Sequence, residues 1–359
     1  MDETLPPIFD GLSPVDRETA LSRFSTITLE ADVPLIEEGI EDPRLLVVCS
    51  GALAVHSHQV VLSRIGPGEL VGEMALFAGG IRSASVSTTE PTRLLSLSWS
   101  GYDQLRRGQH PIIPLLEGRA LALLSERLRA MGERISTLSE GSARGHTVPT
   151  PGLFDRLVSL FGGGGLTRLA SLDRVSILSK SPLFAGVPTE VLAEVAEHFE
   201  GWSARRGHVV CVEGALESQL YVIASGRVDV LISVEASPGG ERIELLATLE
   251  PGEAFGMASL VQPERPRMAS CVVREAMSAL ALERGVWQRL AERADLVGSA
   301  LRVALIRGLS DQLSYANQHL AEIGRRDAAQ HRFERMNERA NTEPPAPGPE
   351  QGAKVQGPW

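Results

Sequence analysis

The chain lacks several of the features that point directly to a function class. Its 359 residues include three cysteines, Cys49, Cys211 and Cys271, and no C-x-x-C pair. That argues against a disulfide framework or a structural zinc, and fits a reducing, cytoplasmic location. No apolar run approaches the roughly 18 residues that a membrane-spanning helix needs. The opening residues Met1-Asp2-Glu3-Thr4 have neither the basic nor the apolar region of a secretory signal. Basic charge is not in excess either. The net charge is −10, and nucleic-acid binders usually present a basic face. Catalytic signatures are missing: there is no G-x-S-x-G, no G-x-x-x-x-G-K-[ST] and no H-E-x-x-H. The eight histidines are scattered, and the close pair His56 and His58 falls near an expected hairpin turn and reads as solvated. The chain reads as a non-enzyme with no metal and no cofactor.

What is present is a long internal repeat. Hydrophobic residues make up 43% of the chain, ample for two or three packed domains. Phe9 and Phe184, Gly39 and Gly214, and Gly51 and Gly226 each lie 175 residues apart in matching contexts. Gly68 and Gly252 lie 184 apart, and the extra residues fall around 233–240, which reads as a longer hairpin loop. A period this long means two copies of a whole domain. Each copy opens with a short helix, Val15 to Phe24 and Glu190 to Phe199. In the first copy β-prone runs follow at Leu45–Cys49, Leu53–His56, Val60–Ile65, Ser83–Ser87 and Arg93–Leu97. Short strands with glycine turns indicate a small sandwich or barrel. Helices are expected after each copy, at Ser98–Arg106 and Glu283–Arg293.

The most informative stretch is Gly68-Glu69-Leu70-Val71-Gly72-Glu73-Met74-Ala75-Leu76-Phe77, followed by Ile81-Arg82-Ser83-Ala84. Glycine lets the backbone approach a ligand, and a helix start points free N–H groups at an anion. Arg82 offers a fork of donors for a phosphate, and Glu73 is an acceptor for sugar hydroxyls. The set describes a socket for a phosphorylated ribose. It resembles the phosphate-binding cassette of the cyclic nucleotide-binding domain family, found in the catabolite activator protein, kinase regulatory subunits and gated channels. Val71 stands where the family usually has an aromatic residue. The resemblance implies a mainly β fold with flanking helices: two tandem jelly-roll-like β-rolls joined by a linker, plus a C-terminal helix. It implies that Glu73 binds the ribose 2′-hydroxyl and Arg82 the cyclic phosphate, with Gly72, Met74, Ala75, Ser83 and Ala84 around them. The implied ligand is a cyclic nucleotide, cAMP before cGMP.

The second cassette differs. It reads Phe255-Gly256-Met257-Ala258-Ser259-Leu260 and then Arg267-Met268-Ala269. Met257 stands where the first copy has Glu73, and a thioether is a poor acceptor. Losing a charged hydrogen-bonding partner costs roughly 1.5–3 kcal/mol, about ten- to a hundredfold in affinity. The second site is therefore expected to be weak, altered or structural. Arg265, just before Arg267, is an alternative phosphate ligand.

These readings divide the chain into residues 1–139 (first domain with its helix), 140–170 (flexible linker), 171–300 (second domain), 301–340 (helix) and 341–359 (disordered tail). The linker holds a short amphipathic segment, Leu153–Phe161, before Gly162-Gly163-Gly164-Gly165. Leu115–Leu138 is amphipathic, with Leu121, Leu124, Leu128 and Met131 at helical spacing. In the family such a helix covers the base or forms a dimer seam, and packing on its own domain is the plain alternative. Leu301, Leu305, Leu309, Leu313, Ala316, Leu320 and Ile323 form a second stripe, a candidate homodimer coiled coil that Gly308 and Gly324 weaken.

The leading function is a cytoplasmic cyclic-nucleotide sensor that signals through helix rearrangement to a protein partner. One alternative is a transcriptional regulator like the catabolite activator protein with an atypical C-terminus. About 60 residues follow Ala300 and show no helix-turn-helix break, which argues against DNA. The other alternative is a scaffold that binds no nucleotide. Kinase regulatory subunits carry inhibitor segments for which Met1–Ile8 leaves no room.

Overall fold

The computed structural model describes residues 5–57, 60–141, 165–236 and 240–318. The Leu153–Phe161 segment, Gly162 to Gly164, His58, Leu320, Ile323 and the tail lie outside the described residues.

The first copy opens with α1 (Pro14–Leu21). Ser13 caps it, its Oγ accepting from the Asp16 N–H, and Pro14 supplies a preset first φ. Two four-stranded antiparallel sheets then face each other. One runs β1 (Phe24–Leu29), β8 (Thr92–Ser98), β3 (Arg44–Ser50) and β6 (Leu70–Val71). The other runs β2 (Pro34–Ile36), β7 (Ser85–Thr88), β4 (Leu53–Ser57) and β5 (Val60–Ile65). Strand β3 shows why its sequence is apolar on both faces. Leu46 and Val48 point into the roll beside Ile36, Leu53 and Val86, while Leu45 and Val47 point outward onto helices. The helices are α2 (Glu73–Ala78), α3 (Trp99–Arg107) and α4 (Ile112–Gly141).

The second copy repeats this plan, with α5 (Arg174–Lys180) and α6 (Thr189–Glu197) between its first strand and the others. Strands β9 (Thr167–Leu169), β10 (Glu200–Ala204) and β11 (Val209–Cys211) precede a long β12 (Gln219–Ala236), which corresponds to β3 and β4 run together. Then come β13 (Gly240–Leu249), β14 (Ala254–Phe255), α7 (Met257–Val261), β15 (Ser270–Glu283) and α8 (Arg284–Ala291). A last helix, α9, begins at 296 and continues through 318.

Three expectations change. The described residues around the expected loop, 233–236 and 240, are strand. Val234 pairs with Arg242 and Ala236 with Gly240, so the insertion lengthens both hairpin strands. Its alternating apolar and polar residues suit a strand better than a turn. Strand β9 lies within the expected 140–170 linker but pairs with β10, where Trp202 faces Arg168. The C-terminal stripe does not form an open seam. Leu301, Leu305, Leu309 and Leu313 are all buried in this one chain, in a core shared with Leu116, Leu121, Leu124 and Leu128 of α4. The stretch from Leu301 to Leu313 therefore offers no free face to a second copy.

Each trailing helix also reaches the other roll. Helix α4 packs on β12 and α7 of the second roll. The Arg129 guanidinium on α4 donates to the Pro266 carbonyl at 3.3 Å. In return, Arg307 on α9 donates to the Phe77 carbonyl at 3.0 Å, at the end of α2 in the first roll, and to the Leu183 and Ala185 carbonyls. Deep between the two helices, Glu117 accepts from Tyr102, Ser299 and Arg302.

Candidate functional site

The first cassette begins where β6 ends. Gly72 has φ 91°, a left-handed conformation that glycine adopts without steric cost. A Cβ on Gly72 would lie 2.1 Å from Arg82 Nη1 and 2.5 Å from the Arg44 carbonyl oxygen, so the backbone runs directly against the guanidinium. Helix α2 starts at the next residue, and the N–H groups of its first turn have no intrahelical acceptor. Glu73 and Arg82 are 1% and 3% exposed, unusual burial for charged residues.

Each is held on one side. Arg127 of α4 pairs with Glu73 Oε1. Asp42 accepts from Arg82 Nη2 at 2.7 Å and from Nε at 3.2 Å. Arg44 grips the same carboxylate at 2.6 and 2.9 Å. Burial works against ionising Asp42, but the hydrogen bonds from Arg44 and Arg82 outweigh it and hold the carboxyl below its ordinary value. The loop is braced by its backbone as well: Arg82 N–H donates to the Ile40 carbonyl, Gly39 N–H to the Arg82 carbonyl and Asp42 N–H to the Gly80 carbonyl.

On the other side, Glu73 Oε2 and Arg82 Nη1 are buried without any partner among the described residues. An acceptor and a donor left unsatisfied around one glycine are costly unless a ligand completes them. The arrangement suits an anion at Arg82 Nη1 and the first-turn amides, with a hydroxyl donating to Glu73 Oε2. The other expected residues gather here too. Ala75 is buried, Met74 and Ala84 are half-buried, and exposed Ser83 sets its Oγ 3.6 Å from Met74 Sδ. A separate surface cavity of about 360 Å³ is lined by Pro34, Ile36, Glu37, His56, Ser85, Val86 and Ser87, and by none of the cassette residues.

The second cassette keeps the backbone and changes the chemistry. Gly256 has φ 89° and starts α7, and a Cβ there would lie 2.1 Å from the Gln219 carbonyl oxygen and 3.2 Å from Arg267 Nη1. Arg267 is 6% exposed, and its Nε is buried without a partner among the described residues. Glu217, 175 residues after Asp42, is exposed and does not clamp it. Met257 is buried against α9. Its Sδ and Cε crowd the place a Cβ of Gly308 would take, at 2.2 and 2.9 Å, so it serves as packing for α9. Ala258 is buried beside it, Met268 and Ala269 are half-buried, and Arg265 is exposed.

Sequence reasoning missed Asp42, Arg44, Arg127, Arg129 and Arg307. Asp42 lies 40 residues from the arginine it holds. Arg127 carries a readable signal, since it sits one position before Leu128 at the edge of the apolar stripe of α4. Among the described residues no helix is long and apolar enough to cross a membrane.

The sequence profile of the cyclic nucleotide-binding domain matches residues 26–108 and 202–294. Over 143 residues, 38% of this chain, the sequence is 35% identical to a cyclic AMP receptor protein of Thermus thermophilus and covers 64% of it. Over 148 residues, 41% of this chain, it is 29% identical to a CRP-like cAMP-activated global transcriptional regulator of Mycobacterium tuberculosis and covers 62% of it. The chain thus spans a little under two thirds of the length of these curated relatives. Among solved structures it is similar to the regulatory domain of Toxoplasma gondii PKA with cAMP, at 18% identity and a TM-score of 0.31, over 87% of this chain and 92% of that one. The glycine-started cassette and the buried arginine of each roll fall within the matched regions, and the chain belongs to the cyclic nucleotide-binding domain family, with two copies of the domain in tandem.

Proposed function

We propose that the chain is a non-enzymatic regulatory sensor that takes one cyclic nucleotide, cAMP in preference to cGMP, in its first roll. The observation that carries this is the pair of unsatisfied buried atoms, Glu73 Oε2 and Arg82 Nη1, on either side of Gly72. The cyclic phosphate is placed on Arg82 Nη1 and the first-turn amides of α2, and the ribose 2′-hydroxyl donates to Glu73 Oε2. Two relatives named for cyclic AMP support the choice of base. The second roll keeps Arg267 but offers Met257 in place of the carboxylate, and takes no nucleotide of comparable affinity.

The output runs through the exchanged helices. Arg127 ties α4 to Glu73, and Arg129, a half-turn further, ties α4 to the Pro266 carbonyl of the second roll. A ligand that strengthens the Glu73 end favours one placement of α4, and it shifts the equilibrium only by its differential affinity for the two placements. The recipient is a protein partner in the cytoplasm. A DNA-binding role is the second reading, favoured by the name of the Mycobacterium relative.

Calorimetric titration of the full chain with cAMP and with cGMP tests this, alongside Arg82→Ala. The expected result is tight cAMP binding at about one site per chain, weakened at least tenfold in the variant, as loss of a charged hydrogen bond predicts. Binding of neither nucleotide, or equal affinity at two sites, would overturn it. A gel shift with nonspecific DNA at low salt separates the second reading.

A further inference from the structure

The second roll carries a chemical pair that the first does not. In the first roll Ile36 on β2 faces Val86 on β7 across the ladder, an ordinary apolar contact. The matching positions of the second roll are Cys211 on β11 and Cys271 on β15, and they too are register partners. Both thiols are free and buried, 1% and 6% exposed, in the inner core with Tyr221 and Phe255. Ladder partners have Cα atoms roughly 4.5–5.5 Å apart, within the range a disulfide spans. Both members of one apolar contact are therefore cysteine in the copy that has also lost its ribose carboxylate.

Arg267 gives this pair a polarity. It is buried, its Nε has no partner among the described residues, and its charge acts on Cys211. The hydrogen bond with Cys271, first, and the Arg267 guanidinium hold the Cys211 thiol below its ordinary value against burial and the Glu217 charge. The same bond and burial push the Cys271 thiol up.

We propose that Cys211 and Cys271 are a redox modification site, oxidised by hydroperoxides to a disulfide that joins β11 to β15 beside Arg267. The Cys211 thiolate attacks the hydroperoxide, the O–O bond breaks, and the departing alkoxide takes a proton to become the alcohol, or water when the oxidant is hydrogen peroxide. The product is a sulfenic acid on Cys211. Cys271 then attacks that sulfur, its proton goes to the departing hydroxide, and water leaves as the S–S bond forms. Two thiols lose two electrons in all, and one hydroperoxide is reduced.

The test is hydrogen peroxide treatment of the folded full chain, quenching, unfolding and alkylation, with intact mass and peptide mapping. The expected result is that one of the three thiols, Cys49, remains alkylatable and that one cross-linked peptide joins Cys211 to Cys271, reversed by dithiothreitol. The rate should fall in Arg267→Gln, because removing the guanidinium charge leaves less of the Cys211 thiol ionised. Three alkylatable thiols, a bridge that includes Cys49, or sulfinic acid without a bridge would overturn the site. An unchanged rate in Arg267→Gln would overturn the role of the arginine. Because the bridge is mapped in the unsubstituted chain, a variant that fails to fold does not decide the question.

Discussion

Glu117 on α4 and Arg302 on α9 meet with almost no exposure, 0% and 1% of their side chains, and the Arg302 Nε–H donates to Glu117 Oε2 at 2.7 Å. The same carboxylate accepts from the Tyr102 hydroxyl and from Ser299 Oγ at 2.6 Å. Arg302 Nη1 donates to the Ala291 and Arg293 carbonyls at the end of α8, where a cation suits the helix C-terminus. Burial, the larger effect, lifts the Glu117 carboxyl above its ordinary value, while Arg302, Ser299 and Tyr102 pull it down. Such a pair adds little net stability, but breaking it is expensive.

Glu117→Gln is therefore expected to lose about 3–5 kcal/mol, because it leaves the Arg302 charge buried without its counter-charge. Urea unfolding measures it. Replacing both partners, Glu117→Leu with Arg302→Met, should recover most of the loss. A double variant no better than the single one would mean that the bonds to Tyr102 and Ser299, and not the charge pair, dominate.

Asp42 makes a pH prediction. Its carboxyl is held below the ordinary aspartate value in the folded chain. As pH falls, the unfolded chain takes up that proton first, so unfolding gains on folding. The stability contributed by Asp42 is therefore fully present above about pH 4, the ordinary aspartate value, and lost as pH drops through the lower folded value. Unfolding midpoints of the natural chain and Asp42→Asn should differ at neutral pH and converge in acid. A difference that stays constant down to acid pH would remove Asp42 as the source.

Gly308 tests the packing of the second cassette. In an exposed helix, glycine to alanine gains about 1 kcal/mol. Here the new methyl would lie 2.2 Å from Met257 Sδ, and overpacking costs typically about 1–3 kcal/mol. Gly308→Ala should thus destabilise on balance, by about 1 kcal/mol. In a Met257→Ala background the same change should stabilise instead. A double-mutant cycle without that change of sign would show that Met257 does not set the approach of α9.

The cassette was legible in the sequence because its chemistry is local. Gly72, Glu73 and Arg82 lie within one short stretch, and the repeat shows Met257 where the first copy has Glu73. The partners that hold the cassette were not legible. Asp42 reaches Arg82, and Arg127 reaches Glu73, only once the roll has closed. The leucines from Leu301 to Leu313 announce a buried face, but periodicity does not say whether the covering helix comes from the same chain. It comes from α4. Cys211 and Cys271 looked unrelated along the chain for the same reason, since antiparallel pairing brings together residues distant in sequence.

The exchange of trailing helices within one polypeptide has an evolutionary consequence. In a two-fold homodimer every substitution appears twice, so the two binding seats change together. Here each roll leans on the helix of the other, yet each is encoded separately. One seat is free to drift to Met257 and a cysteine pair while the other keeps Glu73. Dilution separates the halves of a dimer, but it does not separate two rolls on one backbone, so every molecule holds the two kinds of seat in equal number at any concentration.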